Sequence, residues 1–123
     1  MSALTNLLSP QDSLIVTDTE TTGIHAHVNR VIEIGAVKVR SECENEWFDQ
    51  LIDPQIAIPG RITRITGITS SMVFGQPTAE VVMPNYQEFL GNGVFVAHNI
   101  RFDYSFLNAE FERVGLPEMQ NPG

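Results

Sequence analysis

The chain carries few cations, one cysteine and no long apolar run. Seven Lys and Arg residues against fifteen Asp and Glu residues give the 123-residue chain a formal net charge of −8. This charge argues against a basic surface that coats nucleic acid, although an enzyme that binds phosphate through metal ions needs no such surface. Cys43 has no partner for an internal disulfide, which fits a reducing cytoplasm. Because the apolar runs are no longer than a strand, we expect no membrane span. With the single cysteine and no visible secretory segment, we expect a cytoplasmic protein.

An apolar run that ends in two carboxylates is the most informative stretch. Residues 14–16 are Leu-Ile-Val, which is typical of a buried strand, and Asp18 and Glu20 follow it. Side chains alternate along a strand, so the two carboxylates are expected on the same side. Adjacent carboxylates repel each other unless a cation intervenes. Oxygen ligands favour magnesium, manganese or calcium over zinc, so the stretch predicts a site for such a cation.

The remaining hydrophobic pattern predicts an α/β domain with a mixed sheet. Two segments of strand composition are joined by a short polar turn, so we expect an antiparallel hairpin that pairs with the opening strand. A wholly apolar fourth strand precedes an amphipathic helix, which predicts that this strand is central and runs parallel to the first. The later strands are predicted over residues 30–40, 46–52 and 93–97.

Three helices are predicted, over residues 61–68, 79–90 and 100–114. The first should end at Gly67, and Thr69 offers an N-cap for a further short turn. The second contains Pro84, and an interior proline costs a helix about 3 kcal/mol. We therefore expect either a kink there or a helix that begins near Met83.

Asp103 is the candidate third acid. It falls in the first turn of the last predicted helix, where the helix dipole favours a negative charge, and this alone would explain an aspartate. The helix nevertheless starts at the carboxyl end of a strand parallel to the first. Asp103 could therefore meet Asp18 and Glu20 at the edge where open α/β sheets bind ligands.

Other kinds of site compete with this interpretation. His25 and His27 could form a metal pair, but without a cysteine or third histidine nearby they are better explained as exposed loop residues. An EF-hand calcium loop is rejected, because its twelfth position is Asn29, where a bidentate glutamate is required. A haloacid-dehalogenase-type phosphatase also places two acids after its first strand, but here Glu20 replaces the second aspartate.

Two separated segments carry a family resemblance. They are Asp18-Thr19-Glu20-Thr21-Thr22-Gly23 and His98-Asn99-Ile100-Arg101-Phe102-Asp103, the latter continuing to Leu107. Together they resemble the first and second motifs of the DEDD (DnaQ-like) 3′–5′ exonucleases. The likeness is closest to the proofreading epsilon subunit and PolC-type exonuclease domains of bacterial DNA polymerase III. Landmarks between the motifs, Thr66-Gly67-Ile68-Thr69 and Pro77-Thr78, stand in register with that family.

The resemblance implies a ribonuclease H-like fold and two-metal hydrolysis of DNA phosphodiester bonds from the 3′ end. Asp18, Glu20 and Asp103 would be the catalytic carboxylates and would hold two Mg²⁺ or Mn²⁺ ions. The implied substrate-binding residues are Thr21, Thr22, Gly23, Ile24, His98, Asn99 and Phe102. Among these, His98 and Asn99 are expected to brace the end of the strand rather than to act as the general base.

The family's third motif, a histidine or tyrosine followed by a fourth aspartate, has no counterpart, since no aspartate follows Asp103. We expect an N-terminal arm over residues 1–12, an exonuclease domain over residues 13–117 that lacks its last strand and helices, and a tail over residues 118–123. Such a chain should be weakly active or inactive. The alternative to an exonuclease function is a degenerate, non-catalytic module that binds nucleic acid or a polymerase.

The implied partners follow from the same resemblance. They are a single-stranded 3′ end of DNA, with RNA as an option, and DNA polymerase subunits. The apolar sheet face that the missing elements would cover is a third candidate, because it would favour self-association.

Overall fold

The computed structural model describes residues 12–123, so nearly all of the predicted N-terminal arm lies outside the described residues. The strands are β1 (Ser13–Thr21), β2 (Val31–Arg40), β3 (Glu46–Leu51) and β4 (Val94–Val96). The helices are α1 (Gly60–Thr66), α2 (Ser70–Val73), α3 (Ala79–Leu90) and α4 (Ile100–Arg113). Within this part of the chain, no helix is both long and apolar enough to cross a bilayer.

The four strands form one mixed sheet in the order β3-β2-β1-β4. The turn between β2 and β3 is short, and these strands pair antiparallel, as do β1 and β2. Strand β4 pairs parallel with β1, because α1, α2 and α3 carry the chain across the sheet before it. The predicted combination of an antiparallel three-strand meander and one parallel strand is confirmed.

The predicted central position of the fourth strand is wrong for the described sheet, where β4 lies at an edge. Its apolar composition has a different origin. Phe95 is fully buried, and its N–H donates to the carbonyl of Pro122 at 2.7 Å. Asn121 adds two hydrogen bonds from its side-chain amide to the carbonyls of Gly91 and Gly93. The segment predicted as a tail therefore covers the outer edge of β4.

Helix α3 begins at Ala79, so of the two expected alternatives the start near Met83 is wrong, and a kink at Pro84 stays a prediction. The helix continues through Pro84, whose missing N–H leaves the carbonyl four residues earlier, at Glu80, without its usual partner. Both residues are exposed, so water can satisfy that carbonyl. Burial of Tyr86 and the other residues on the inner face of α3 offsets the cost of the proline.

Helices α3 and α4 pack on one face of the sheet and enclose the main core. The odd-numbered residues of β1 point into this core, and most are apolar or hydroxyl-bearing. Tyr86 is fully buried there, and its hydroxyl hydrogen-bonds to Oγ1 of Thr17 at 2.7 Å. Burial raises the pKa of Tyr86, so the phenol stays protonated and the hydrogen bond is retained.

A smaller core cluster holds α1 beside the sheet. It consists of Ile32, Ile58, Ile62, Ile68 and Val73. Helix α1 ends as predicted at Gly67, which takes the left-handed conformation with φ 79°. The side chain of Thr69 accepts a hydrogen bond from the N–H of Met72 and so caps α2 as expected.

A fully buried carboxylate joins α4 to the start of β2. Glu110 is 0% exposed and accepts hydrogen bonds from Nε of Arg30 at 3.1 Å and from the N–H of Val31 at 2.9 Å. Nη1 of Arg113 lies 3.2 Å from the same carboxylate. Two cations and a backbone donor thus compensate the buried charge.

Replacing Tyr86 with Phe should destabilise the fold by about 1–3 kcal/mol, because the buried hydroxyl of Thr17 loses its partner. The double variant Thr17→Val with Tyr86→Phe should recover much of this loss, since both polar groups are then removed. Urea denaturation of the two single variants and the double variant measures the coupling. Strictly additive losses would show that the hydrogen bond contributes nothing.

Replacing Glu110 with Gln should destabilise the fold by up to about 3 kcal/mol. This is the lower end of the range for breaking a buried ion pair, because Arg30 and Arg113 are partly exposed and water can solvate them. The matched control is Glu112→Gln, an exposed position two residues along the same helix, which should change stability by no more than about 0.5 kcal/mol. Equal losses for the two variants would contradict the role given to Glu110.

Candidate active site

Strand β1 presents two carboxylates on one face of the sheet. It stays extended through Thr21, so Asp18 and Glu20 point away from the core, whereas Thr17 and Thr19 are buried on the helix side. The predicted shared face is therefore confirmed. Both carboxylates line a cavity of about 690 Å³ on that face.

Asp103 reaches this end of β1 from the first turn of α4. Its Oδ1 accepts hydrogen bonds from the backbone N–H of Thr19 at 3.2 Å and from Oγ1 of Thr19 at 2.5 Å. The side chain is only 4% exposed. Because Thr19 stands between Asp18 and Glu20 in the chain, this contact places the third predicted acid near enough for its charge to act on Glu20.

The three carboxylates influence one another electrostatically. Burial is the main reason that the pKa of Glu20 is raised, and the charges of Asp18 and Asp103 raise it further. Burial also raises the pKa of Asp103, against the opposing effect of its hydrogen bonds from Thr19, and Asp18 adds to the rise. The negative charges thus destabilise one another in the absence of a counter-ion.

The donor chemistry of this cluster fits a divalent cation. Asp18 and Glu20 form no hydrogen bond or ion pair within residues 12–123, so their oxygens are available, and hard oxygen donors suit Mg²⁺ and Mn²⁺. Across the same residues, no three His, Cys, Asp or Glu side chains converge closely enough to form a ready-made metal cage. Binding an ion would therefore draw the carboxylates together.

Two further acids on this face were not predicted. Glu33 is the cross-strand partner of Glu20 in β2, and Asp49 in β3 is its neighbour. The pKa of Glu33 is raised by burial first and then by the charge and a hydrogen bond of Asp49. In the sequence, only the presence of Glu33 in the otherwise apolar start of β2 could have indicated this acid. Its proximity to Asp49 in β3 depends on strand register, which spacing along the chain does not give.

A second, smaller pocket of about 290 Å³ lies at the end of β1, and Glu20 lines both cavities. The predicted residues at this pocket are Thr21, Gly23, Ile24 and Phe102. Helix α1 supplies four lining residues that were not predicted: Arg61, Ile62, Ile65 and Thr66. These residues reach the pocket because the small core cluster holds α1 in this position, and no local sequence pattern predicts that placement.

Thr22 and Gly23 help to close the loop after β1. Oγ1 of Thr22 accepts from the N–H of Arg30 at 2.9 Å, and Thr22 does not line the smaller pocket. A Cβ at Gly23 would lie 2.5 Å from the side chain of Asn29, whose Oδ1 accepts from the N–H of His25. Loop closure therefore suffices to explain this glycine, and contact with substrate stays a prediction.

His98 lines the larger cavity beside Asp18 and Glu20, and it is exposed. Neither His98 nor Asn99 makes a side-chain hydrogen bond within residues 12–123. The backbone carbonyl of Asn99 accepts from the N–H groups of Phe102 and Asp103 and so begins α4. These bonds begin the helix and do not reach the end of β4, so the expected bracing by His98 and Asn99 stays a prediction. His25 and His27 are exposed on the loop, as expected.

A mixed sheet with acids from its first strand and from the helix after its parallel strand defines a ribonuclease H-like nuclease fold. Residues 15–122 match the model of the Exonuclease (RNase_T) family. The chain belongs to this family, which confirms the family resemblance seen in its two motifs.

Relatives with related sequences are DNA polymerase III proteins. The chain is 43% identical over 108 residues to a DNA polymerase III PolC-type protein of Halalkalibacterium halodurans, a match covering 88% of this chain and 8% of that protein. It is 36% identical over 110 residues to DNA polymerase III subunit epsilon of Aquifex aeolicus, covering 89% of this chain and 54% of the relative. The chain thus spans only part of each relative.

Solved structures establish the fold. Exonuclease I without ligand superposes with a TM-score of 0.80 at 20% identity, covering 88% of this chain and 26% of that one. Escherichia coli exonuclease I in complex with a dT13 oligonucleotide gives a TM-score of 0.79 at the same identity, covering 88% and 25% of the two chains. The predicted ribonuclease H-like fold is confirmed.

Replacing Asp18 with Ala should weaken Mn²⁺ binding by at least about tenfold, since losing even an outer-shell group costs a metal site roughly 10–100-fold in affinity. Isothermal titration calorimetry at neutral pH measures the change. The control is Glu88→Gln, which also removes one negative charge but lies on the exposed side of α3. Equal affinity of the Asp18 variant and the wild type would refute the carboxylate site.

Proposed function

We propose that this chain is a 3′–5′ exonuclease domain of the proofreading type, which hydrolyses DNA phosphodiester bonds with the aid of two divalent cations. The observation that supports the proposal is that Asp103 is hydrogen-bonded to Thr19, the residue between Asp18 and Glu20, near enough for the charges of the three acids to act on one another. Glu20 also lines the smaller pocket at the end of β1. The polymerase III relatives named above support DNA as the substrate. They also make polymerase subunits the natural partners, and replication would place the protein in the cytoplasm.

Asp18, Glu20 and Asp103 would hold Mg²⁺ or Mn²⁺. When bound, two such ions stabilise the attacking and leaving oxygens of the phosphodiester. The contribution of the protein is to hold the carboxylates in place. Thr19 fixes one oxygen of Asp103 through two hydrogen bonds, and rigid β1 fixes the spacing of Asp18 and Glu20.

The smaller pocket would seat the 3′-terminal nucleotide. Ile24, Ile65 and Phe102 give it apolar walls, and stacking of a base on an aromatic ring is worth roughly 1–3 kcal/mol. Its volume of about 290 Å³ lies near the lower end of the range for small-ligand sites. Because Glu20 also lines the larger cavity, a nucleotide seated here would place its phosphate beside the carboxylates. The exonuclease I complex with dT13 supports a single strand as the substrate; RNA is the alternative strand.

The activity of this chain should be low. No aspartate follows Asp103, so neither the fourth acid nor the general base of the family's third motif has a counterpart among these residues. General-base assistance is typically worth 10²- to 10⁴-fold in rate. The second candidate function is a non-catalytic module that binds nucleic acid or a polymerase, and it would use the smaller pocket without hydrolysis.

Incubation with Mn²⁺ and a single-stranded oligonucleotide labelled at its 5′ end should produce slow shortening from the 3′ end, resolved on a denaturing gel. Asp103→Asn should abolish this shortening, because the variant loses a negative charge at the cluster, whereas Glu88→Gln should leave the rate unchanged. Binding without shortening would favour the non-catalytic module. The absence of both binding and shortening would contradict both functions.

A further inference from the structure

We infer that Arg61 binds a backbone phosphate of the single strand next to the seated 3′-terminal nucleotide, and so directs the strand over α1. The inference rests on the proposed function. Arg61 lies in the first turn of α1 and lines the smaller pocket together with Glu20, Ile24 and Phe102.

The first step is electrostatic. A chain with a net charge of −8 repels a polyanion, and the candidate site adds carboxylates to that repulsion. Beside the divalent cations of the proposed site, a local side-chain cation that is free to meet a phosphate would therefore favour strand binding. Such a cation should lie close to the carboxylates without being neutralised by them.

Most of the cationic side chains are already engaged. Arg30 and Arg113 contact Glu110, Arg40 pairs with Glu46, and Lys38 lies over the ring of Phe89. All seven Lys and Arg residues of the chain fall within residues 12–123. In that part of the chain, the remaining three, Arg61, Arg64 and Arg101, form no ion pair or hydrogen bond.

Position singles out Arg61 among these three. Arg101 lines a different cavity, along α4 near the C-terminal segment. Arg64 lies three residues after Arg61 on the same short helix and is also exposed, but it does not line the pocket. Only Arg61 combines a free guanidinium with a place at the pocket that Glu20 shares.

The chemistry of the pocket indicates the ligand. Apolar walls from Ile24, Ile65 and Phe102 suit a base, and a guanidinium at the same pocket suits a phosphate, which it can bind with two parallel hydrogen bonds. Glu20 is the acid at this pocket and forms no ion pair with Arg61. The contact would strengthen binding of substrate and transition state alike, so Arg61 is a positioning residue whose loss should raise KM and leave kcat unchanged.

Arg61→Gln should raise the dissociation constant of a fluorescein-labelled oligothymidylate by about three- to tenfold, and should lower the slope of log affinity against log salt by about 0.7. Fluorescence anisotropy in Mg²⁺ at several salt concentrations measures both. Phosphorothioate linkages at the 3′ end keep the strand intact. Arg61→Lys should restore the salt slope, since it restores the charge, but only part of the affinity, since an ammonium cannot form the two parallel hydrogen bonds of a guanidinium.

Arg64→Gln is the matched control, with the same charge removed from the same helix, and should change the dissociation constant by less than about twofold. If Arg61→Gln and Arg64→Gln weaken strand binding equally, the inference about Arg61 is overturned and the exonuclease function stands. The same conclusion follows if Arg61→Gln weakens binding without a change in salt slope. Failure of the wild type to bind the strand would overturn both the inference and the proposed function.

Discussion

The buried carboxylate of Glu110 is the interaction on which the arrangement of the site depends. A fully buried charge is tolerated only when it is paired, and Arg30, Arg113 and the N–H of Val31 surround it. The contact holds the last turn of α4 against Val31, the first residue of β2. It also anchors the loop between β1 and β2, because Arg30 exchanges two hydrogen bonds with Thr22. With α4 fixed in this way, its first turn lies against β1.

The contact between Asp103 and Thr19 then holds the third acid near the first two. One threonine separates the two carboxylates of β1 and uses both its backbone and its hydroxyl to hold the third. The assembly opposes stability, since burial and like charges raise the pKa of Glu20 and Asp103. A site that is strained in this way without a cation gains most when a cation binds, which is what metal-dependent hydrolysis requires.

Glu20 divides the site into two parts with different chemistry. On the open face of the sheet it belongs to a group of acids that includes Glu33 and Asp49. At the end of β1 it borders a pocket with apolar walls and a free arginine. A metal-dependent reaction centre therefore adjoins a surface suited to a base and a phosphate. In so acidic a chain, the cations close to the site count for more than the net charge.

The sequence by itself determined what depends on local geometry. Alternation along a strand put Asp18 and Glu20 on one side, a glycine ended α1 at Gly67, and the start of α4 placed Asp103 in a first turn. Tertiary structure decided what depends on contacts between distant segments. The edge position of β4, the pairing of Glu33 with Glu20, the place of α1 in the pocket and the passage of α3 through its proline all follow from packing and strand register. Each of these features depends on contacts between residues that are far apart in the chain, so no local sequence pattern predicts it.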